Sequence, residues 1–394
     1  MDRKQLVQRI DWILVIILLL FLCTSLLAIS SAQTTSYTGT NFVPRQLVYY
    51  GILAVIIAVV MYFDMEQYKK LVWILYGFGL FLLVALIFMP EGEGQIGEMV
   101  NGAKSWYHTP LGNIQPSEFM KTFYILACAH LISKHNEKYM LRTVKTDMLL
   151  IAKIFGAFIV PFALVMEQPD LGSGLVFIAI TLAMVILAGI SWWIILPGLA
   201  ICGGIGGLFI WMALHLPDVI EKIGFDPYQR ARIYSWLDPE QYSSNEGYQL
   251  ISSMNAIGSG EIFGKGYQQR EVYVVENHTD FIFTVIGEEW GFFGASLIIC
   301  LYFVLIYHLT KLTFMIRDPF CTYVCAGIIA MITFHVLENI GMTIQLLPIT
   351  GIPLPFISYG GSSLMGNALA LGLVFSMRFH YRSYMFTKDT LLDD

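Results

Sequence analysis

Charged residues make up only 13% of this 394-residue sequence, about half the share of an ordinary soluble domain. A soluble chain of this length needs far more polar surface, so a soluble globular protein is excluded. The net charge of −6 is small and unclustered, which gives no footprint for nucleic acid. The polar segments contain no cysteine. Cys23, Cys128, Cys202, Cys300, Cys321 and Cys325 all fall within apolar runs, so no disulfide framework is expected. Cys321 and Cys325 are one turn apart, but no second pair or histidine completes a zinc pattern, and they read as packing residues. Gly258-Ser259-Gly260 and Gly264-Lys265-Gly266 lack the spacing and the Ser/Thr of a phosphate loop, and read as flexible loop. No soluble domain, low-complexity tract or internal repeat is evident.

Hydrophobic residues make up 56% of the chain. Runs of about 20, each able to cross a bilayer, recur at 11–30, 46–64, 70–89, 116–134, 148–166, 172–189, 191–214, 281–310, 319–345 and 359–378. The first follows a basic start (Arg3, Lys4, Arg9) and resembles a signal peptide, but many spans follow and we read it as a retained helix. The expected fold is an all-α polytopic membrane protein, a single bundle over 1–394 with about ten spans. Lys and Arg gather at both ends and in alternate loops (Lys69, Lys70, Lys134, Lys138, Arg142, Lys145, Lys311, Arg317), whereas the short loops opposite hold Arg45 and Lys104. Both termini are therefore expected in the cytoplasm, and the long polar segment 215–280 outside, folded over the bundle mouth. Within it, Tyr248 to Ile257 reads as a short helix, and Glu271 to Val275 alternates like a strand. Gly203-Gly204-Ile205-Gly206-Gly207 suits close helix packing or a bend.

Ionisable residues inside spans normally face a partner or a cavity. Glu118 and Lys121, three apart after Gln115-Pro116-Ser117, share one helix face, as an orienting ion pair or as a substrate contact. Asp280 stands where the long loop meets a span, either as a dipole-complementing aspartate or as a base whose pKa desolvation raises. One of Glu288 and Glu289, two turns deeper, is expected to face the same interior. His335 and Glu338 read as a structural polar pair. Pro353 and Pro355 interrupt helix before Ser358-Tyr359-Gly360-Gly361-Ser362-Ser363, where backbone donors near a helix start suit either a simple turn or a diphosphate.

Taken in order, these segments resemble the SEDS family of bacterial cell-wall proteins (shape, elongation, division and sporulation). The resemblance rests on Asn101-Gly102-Ala103-Lys104-Ser105-Trp106, Gln115-Pro116-Ser117-Glu118 with Lys121, and Gln168-Pro169-Asp170-Leu171-Gly172-Ser173. It continues through Tyr228 with Arg230 and Arg232, Ala256-Ile257-Gly258-Ser259-Gly260, His278-Thr279-Asp280-Phe281-Ile282-Phe283 and Pro355-Phe356-Ile357-Ser358-Tyr359-Gly360-Gly361. Each is weak alone; the ordered set is specific. Short tails and loop details are most similar to the elongation branch, with division and sporulation branches as alternatives. Ser105, Ser252, Glu261 and Val275 depart from residues common in the family (Arg, Gln, Gly and Pro respectively).

The resemblance implies a multi-pass protein of the bacterial cytoplasmic membrane with its active site facing outside. It implies a peptidoglycan glycosyltransferase that polymerises lipid II with inversion, forming β-1,4 bonds and releasing undecaprenyl diphosphate. A lipid II flippase and a non-catalytic scaffold are the alternatives. Asp280 matches the family's catalytic aspartate, and Glu118 with Lys121 its central-cavity pair. A leaving diphosphate needs cations and donors, for which we single out Lys104, Arg230, Arg232, Ser358, Gly360 and Gly361. No metal cage is visible; a divalent cation (Mg or Mn) at Asp280 is compatible with the chemistry. The implied partners are a class B penicillin-binding protein, which crosslinks the strands, and other elongation-complex membrane proteins. The spans at 281–310 and 319–345 and the long loop are its expected contact surfaces.

Overall fold

The computed structural model describes residues 9–35, 41–89, 104–109, 112–215, 227–242 and 246–381. Ten helices of 17 residues or more dominate: α1 (Trp12–Ala32), α2 (Phe42–Tyr62), α3 (Met65–Ile87), α4 (Pro116–Lys138), α5 (Val144–Glu167), α6 (Leu171–Leu187), α7 (Trp192–His215), α10 (Ile282–Met315), α11 (Pro319–Thr343) and α12 (Gly361–His380). Two shorter helices, α8 (Pro227–Leu237) and α9 (Glu246–Ser259), lie between α7 and α10. Of the long helices, α1, α2, α3, α5, α10 and α11 are long and apolar enough to cross a membrane. Large apolar side chains such as Ile16, Val48, Val55, Ile74 and Phe303 face outward, the distribution of a multi-pass membrane protein.

Helix starts are capped as their sequences dictate. Asp64 accepts from the Gln67 amide while Gln67 returns a bond to the Asp64 amide, and Thr143 and Thr146 repeat this exchange. Such reciprocal caps satisfy donors that a helix cannot satisfy itself. The polar helix α4 is the hub, buried on nearly every face and packed by α3, α5, α6, α11 and α12. At Gly366 of α12 a Cβ would meet the Glu118 carbonyl at 2.9 Å, so glycine there sets the approach of α12 to α4.

The segment between α7 and α10 folds onto the ends of α10 and α11. Leu250, Ala256, Val274, Phe281, Met342 and Ile349 form a small separate core there. Trp236 Nε1 donates to the Gln345 carbonyl and Gln345 Nε2 to the Trp236 carbonyl, both at 3.1 Å. The expected short helix is present as α9. The expected strand at Glu271–Val275 is not, because Glu288 Oε1 takes the Glu271 and Val272 amides at 2.8 and 3.1 Å. Among the described residues the sole strand pairing is the hairpin Tyr107–Thr109 with Gly112–Ile114.

The glycines after α9 are not flexible linkers. They lie against an interruption of α10 at Gly291, whose φ of 61° and ψ of −155° belong to glycine alone. Glu288 and Glu289 carbonyls accept from Lys265 and Gly266, while the Phe292 and Phe293 amides donate to Glu261 and Ile262. The helix thus exchanges its own bonds for bonds to the loop. A Cβ at Gly260 would sit 2.0 Å from the Gly287 carbonyl, and one at Gly264 2.1 Å from that of Glu289. Glu261 holds φ at 48°, a conformation glycine adopts more readily. Glu288 and Glu289 serve this junction too. Lys265 Nζ lies 2.8 Å from Glu288 Oε1, and Arg270 Nε 3.3 Å from Glu289 Oε1, which Ser31 Oγ also contacts. Neither carboxylate is engaged at Asp280.

The glycine run of α7 also differs from expectation. Gly203, Gly204, Gly206 and Gly207 have nothing within 4 Å of an added Cβ, so they do not mediate packing within this chain. Gly291→Ala is expected to cost about 1–3 kcal/mol from backbone strain, plus a clash with the Gly264 nitrogen at 2.4 Å. Gly204→Ala should cost nothing; thermal unfolding in detergent compares the two.

Candidate functional site

Irregular backbone links α11 to α12 over residues 344–360, and its stretch 350–360 lies inside the bundle. Such backbone is tolerated at membrane depth only where protein satisfies its polar groups. Side chains do so here, carbonyl by carbonyl. Tyr302 hydroxyl donates to Pro355, Tyr50 hydroxyl to Phe356, Ser25 Oγ to Ile357 at 2.8 Å and Gln46 Nε2 to Ser358 at 3.2 Å. The far side of this segment holds the stretch that enters α10. The Tyr359 amide donates to the His278 carbonyl at 2.9 Å and Ser358 Oγ to the Thr279 carbonyl at 2.6 Å. Asn339 Nδ2 donates to the carbonyls of Asp280 and Ile352 at 2.7 and 2.8 Å.

These bonds place the Asp280 carboxyl against Gly351. A Cβ on Gly351 would lie 3.3 Å from Asp280 Oδ2 and 3.9 Å from Arg232 Nη2. Gly351, at φ 76°, therefore presents no side chain beside the carboxyl and the guanidinium. Arg232 Nη1 is anchored on the Thr350 carbonyl at 3.2 Å. Asp280 is half-buried. Burial and the Glu276 carboxylate push its carboxyl up to about 7, with Arg232 pulling the other way. Beside it the His278 ring stacks on Phe42, centroids 4.4 Å apart, and approaches Tyr359 at 5.9 Å. Burial lowers the His278 pKa.

A second polar group lies within the bundle. Lys121 Nζ is 2.7 Å from Glu118 Oε1 and 3.1 Å from His335 Nε2. His335 Nδ1 lies 2.7 Å from the Met331 carbonyl, which fixes the tautomer: Nδ1 donates and Nε2 accepts from the ammonium. Lys121 is 1% exposed and Glu118 6%, so every charge here is met by protein. His335 and Glu338 are not a pair as expected. His335 reaches α4, whereas the Glu338 carboxyl lies against Thr350.

The motifs between the two groups also meet. Asp170 caps α6 through the Ser173 amide and accepts from Gln115 Nε2 at 2.7 Å; the Gln115 amide donates to Ser362 Oγ at 2.7 Å. The diphosphate candidates scatter. Arg232 joins Asp280. Lys104 Nζ lies on the carbonyls of Ile87 and Met89 at the end of α3, a cation at a helix C-terminus. Ser358 Oγ accepts from the Leu354 amide and donates to Thr279, so it serves the fold. Gly360 precedes α12, and a Cβ on Gly361 would meet the Tyr49 ring at 2.8 Å. The side chain of Arg230, like residues 101–103, lies outside the described residues. Asn339 and the role of His335 escaped the sequence reading; their one signal was a polar residue within an apolar run.

Among the described residues, no three His, Cys, Asp or Glu side chains converge as a metal site. A divalent cation would find one protein carboxylate at Asp280 and take its other ligands from a substrate diphosphate and water.

The motifs that meet in this arrangement are matched in known proteins. The model of the cell cycle protein family of FtsW, RodA and SpoVE matches residues 5–383. The chain belongs to this family. It is 33% identical over 380 residues to Stage V sporulation protein E of Bacillus subtilis, covering 93% of this chain and 96% of the relative. It is 32% identical over 349 residues to a probable peptidoglycan glycosyltransferase FtsW of Trichlorobacter lovleyi, covering 88% and 86%. A solved structure described as "Structural coordination of polymerization and crosslinking by a peptidoglycan synthase complex" superposes with a TM-score of 0.75 at 26% identity, covering 94% of this chain and 97% of that one.

In this family member, Lys121→Met leaves the Glu118 carboxylate buried and unpaired, a loss expected at about 3–5 kcal/mol. The double variant Glu118→Leu, Lys121→Met should recover most of the thermal stability. Equal stability of the single variant and wild type would show that the ion pair is not coupled.

Proposed function

We propose that this chain is a peptidoglycan glycosyltransferase that polymerises lipid II at the outer face of the bacterial cytoplasmic membrane. All ten long helices would span the bilayer, with both termini in the cytoplasm and the α8–α9 segment outside. The supporting observation is the Asp280 carboxyl, raised to about 7, with the Arg232 guanidinium brought to the same glycine, Gly351. A base poised near the working pH is effective.

The acceptor's GlcNAc 4-hydroxyl gives its proton to the Asp280 carboxylate. Its oxygen attacks the anomeric carbon of the donor's MurNAc from the face opposite the diphosphate. The anomeric C–O bond breaks, and undecaprenyl diphosphate leaves with the bonding electrons. Arg232, fixed by the Thr350 carbonyl, offers the positive charge that the leaving group needs. Glu118, Lys121 and His335 hold α4 and α11 in register beneath this site. Crosslinking of the product would fall to a class B penicillin-binding protein working beside this chain, a partnership consistent with the synthase complex that the fold resembles. Within the family, loop details favour the elongation role.

The buried Glu118–Lys121–His335 cluster favours a second reading, a lipid II flippase, which would depend on that cluster and not on Asp280.

Purified protein with lipid II in detergent tests the assignment. Asp280→Asn and Asp280→Ala should fold yet form no glycan, whereas full polymer yield in both would remove Asp280 from the mechanism. Wild-type rate should rise with pH through about 7, because only the deprotonated carboxyl accepts the proton. Stability should move oppositely. A carboxyl raised above its unfolded value of about 3.9 favours the folded state while protonated, and that contribution fades as pH climbs toward 7. Asp280→Asn should therefore gain thermal stability over wild type at pH 8 and lose that advantage near pH 4.

A further inference from the structure

We infer that Asn339 and Ser358 are positioning residues for Asp280, holding the backbone on which the proposed base rides. The inference rests on the glycosyltransferase reading above. Three successive carbonyls, of His278, Thr279 and Asp280, each accept one bond, from the Tyr359 amide, Ser358 Oγ and Asn339 Nδ2. Two of these donors are side chains and can be removed without rebuilding the backbone. Asn339 Nδ2 is shared with the Ile352 carbonyl, so one amide staples the Asp280 strand to the segment that carries Gly351. That contact holds Gly351 beside the Asp280 carboxyl and Arg232. Asn339 is wholly buried and packs behind the backbone of Asp280, so its amide acts on the base through main-chain position. Ser358 is tied the same way. Its hydroxyl accepts from the Leu354 amide while donating to Thr279, which fixes the rotor and aims the donor.

The charged and titratable groups around Asp280 are Arg232 of α8, Glu276 and His278 of its own segment, and Glu338 of α11, whose carboxyl lies against Thr350. Neither Asn339 nor Ser358 ionises. A change in the pH dependence of either variant therefore reports a displaced Asp280, not a lost charge. Loosening the segment admits water to the carboxyl and relieves the burial that raises its pKa.

The test uses the full chain in detergent, with lipid II and kcat–pH profiles. Asn339→Leu and Ser358→Ala should each lower kcat at least tenfold with KM within twofold of wild type. Each should move the acid limb down by at least half a pH unit. Asn339→Gln and Ser358→Thr, which keep a donor, should regain part of the rate. His308→Ala breaks the 2.8 Å contact with Asp11 that joins α10 to the start of α1. It should lower thermal stability and leave the acid limb in place. If Asn339→Leu does not fold, Ser358→Ala alone decides, since it removes a single oxygen. Wild-type kcat, or a reduced kcat with an unmoved acid limb, would overturn the inference while Asp280→Asn stays inactive. Full activity of Asp280→Asn would instead overturn the assignment of the base.

Discussion

Eleven residues of non-helical chain, 350–360, lie mostly buried among the helices, and their buried peptide groups need partners. An unsatisfied carbonyl in such surroundings costs several kcal/mol, so the segment exists only because α1, α2, α10 and α11 supply donors to it. Ser25, Gln46, Tyr50 and Tyr302 take the carbonyls on one side. On the other side the segment itself becomes the donor, and what it holds is the entry to α10. The polar residues scattered through the apolar helices are therefore one system, built to keep an irregular strand of chain in one place.

That fixed strand makes a sharp electrostatic contrast possible. Asp280 lies on the boundary between the bundle and the folded α8–α9 segment, close enough to protein to lose hydration and close enough to Arg232 to keep a charged partner within reach. Its carboxyl is consequently raised but not silenced. The α8–α9 segment adds the guanidinium because it is pinned at Trp236–Gln345, at the small core around Leu250 and Phe281, and at the Gly291 junction. Loss of any of these anchors would release Arg232 from Thr350. The kinked α10 is central to this arrangement, since its exchanged backbone bonds connect the outer segment to the helix that begins two residues after Asp280.

The sequence was informative wherever a residue had to be costly to keep. Ten apolar runs announce the ten long helices, and Gln115-Pro116-Ser117 announces the start of α4 within a residue. Glu118 and Lys121 could be paired from their spacing, because both lie on one helix. Lys121's second partner, His335, sits 214 positions away, and nothing local to α11 distinguishes a histidine facing α4 from one paired with Glu338. Glycine misled for a related reason. Gly260 and Gly264 looked like loop flexibility, yet each makes room for a carbonyl of α10. Gly203, Gly204, Gly206 and Gly207 read as close packing or a bend, yet among the described residues nothing lies within 4 Å of a Cβ added at any of them. Glycine signals that space is needed or conformation is unusual, and a single sequence cannot say which. Asn339 was unreadable because its partners are main-chain carbonyls, which carry no side-chain signature.

The two polar groups answer different physical demands, and this separates chemistry from architecture. In the Glu118–Lys121–His335 cluster the ammonium meets a carboxylate and an imidazole nitrogen, the imidazole's other nitrogen meets a carbonyl, and all three residues are buried. The cluster's charges are compensated within the protein, and its bonds join α4 to α11. Asp280 is the reverse. It is partly buried, lies with Arg232 at Gly351, and its carboxyl is raised to about 7. Gly351 stands beside it, with Asp280 Oδ2 and Arg232 Nη2 both within 4 Å of where its side chain would begin, so the glycine keeps that spot clear of any side chain.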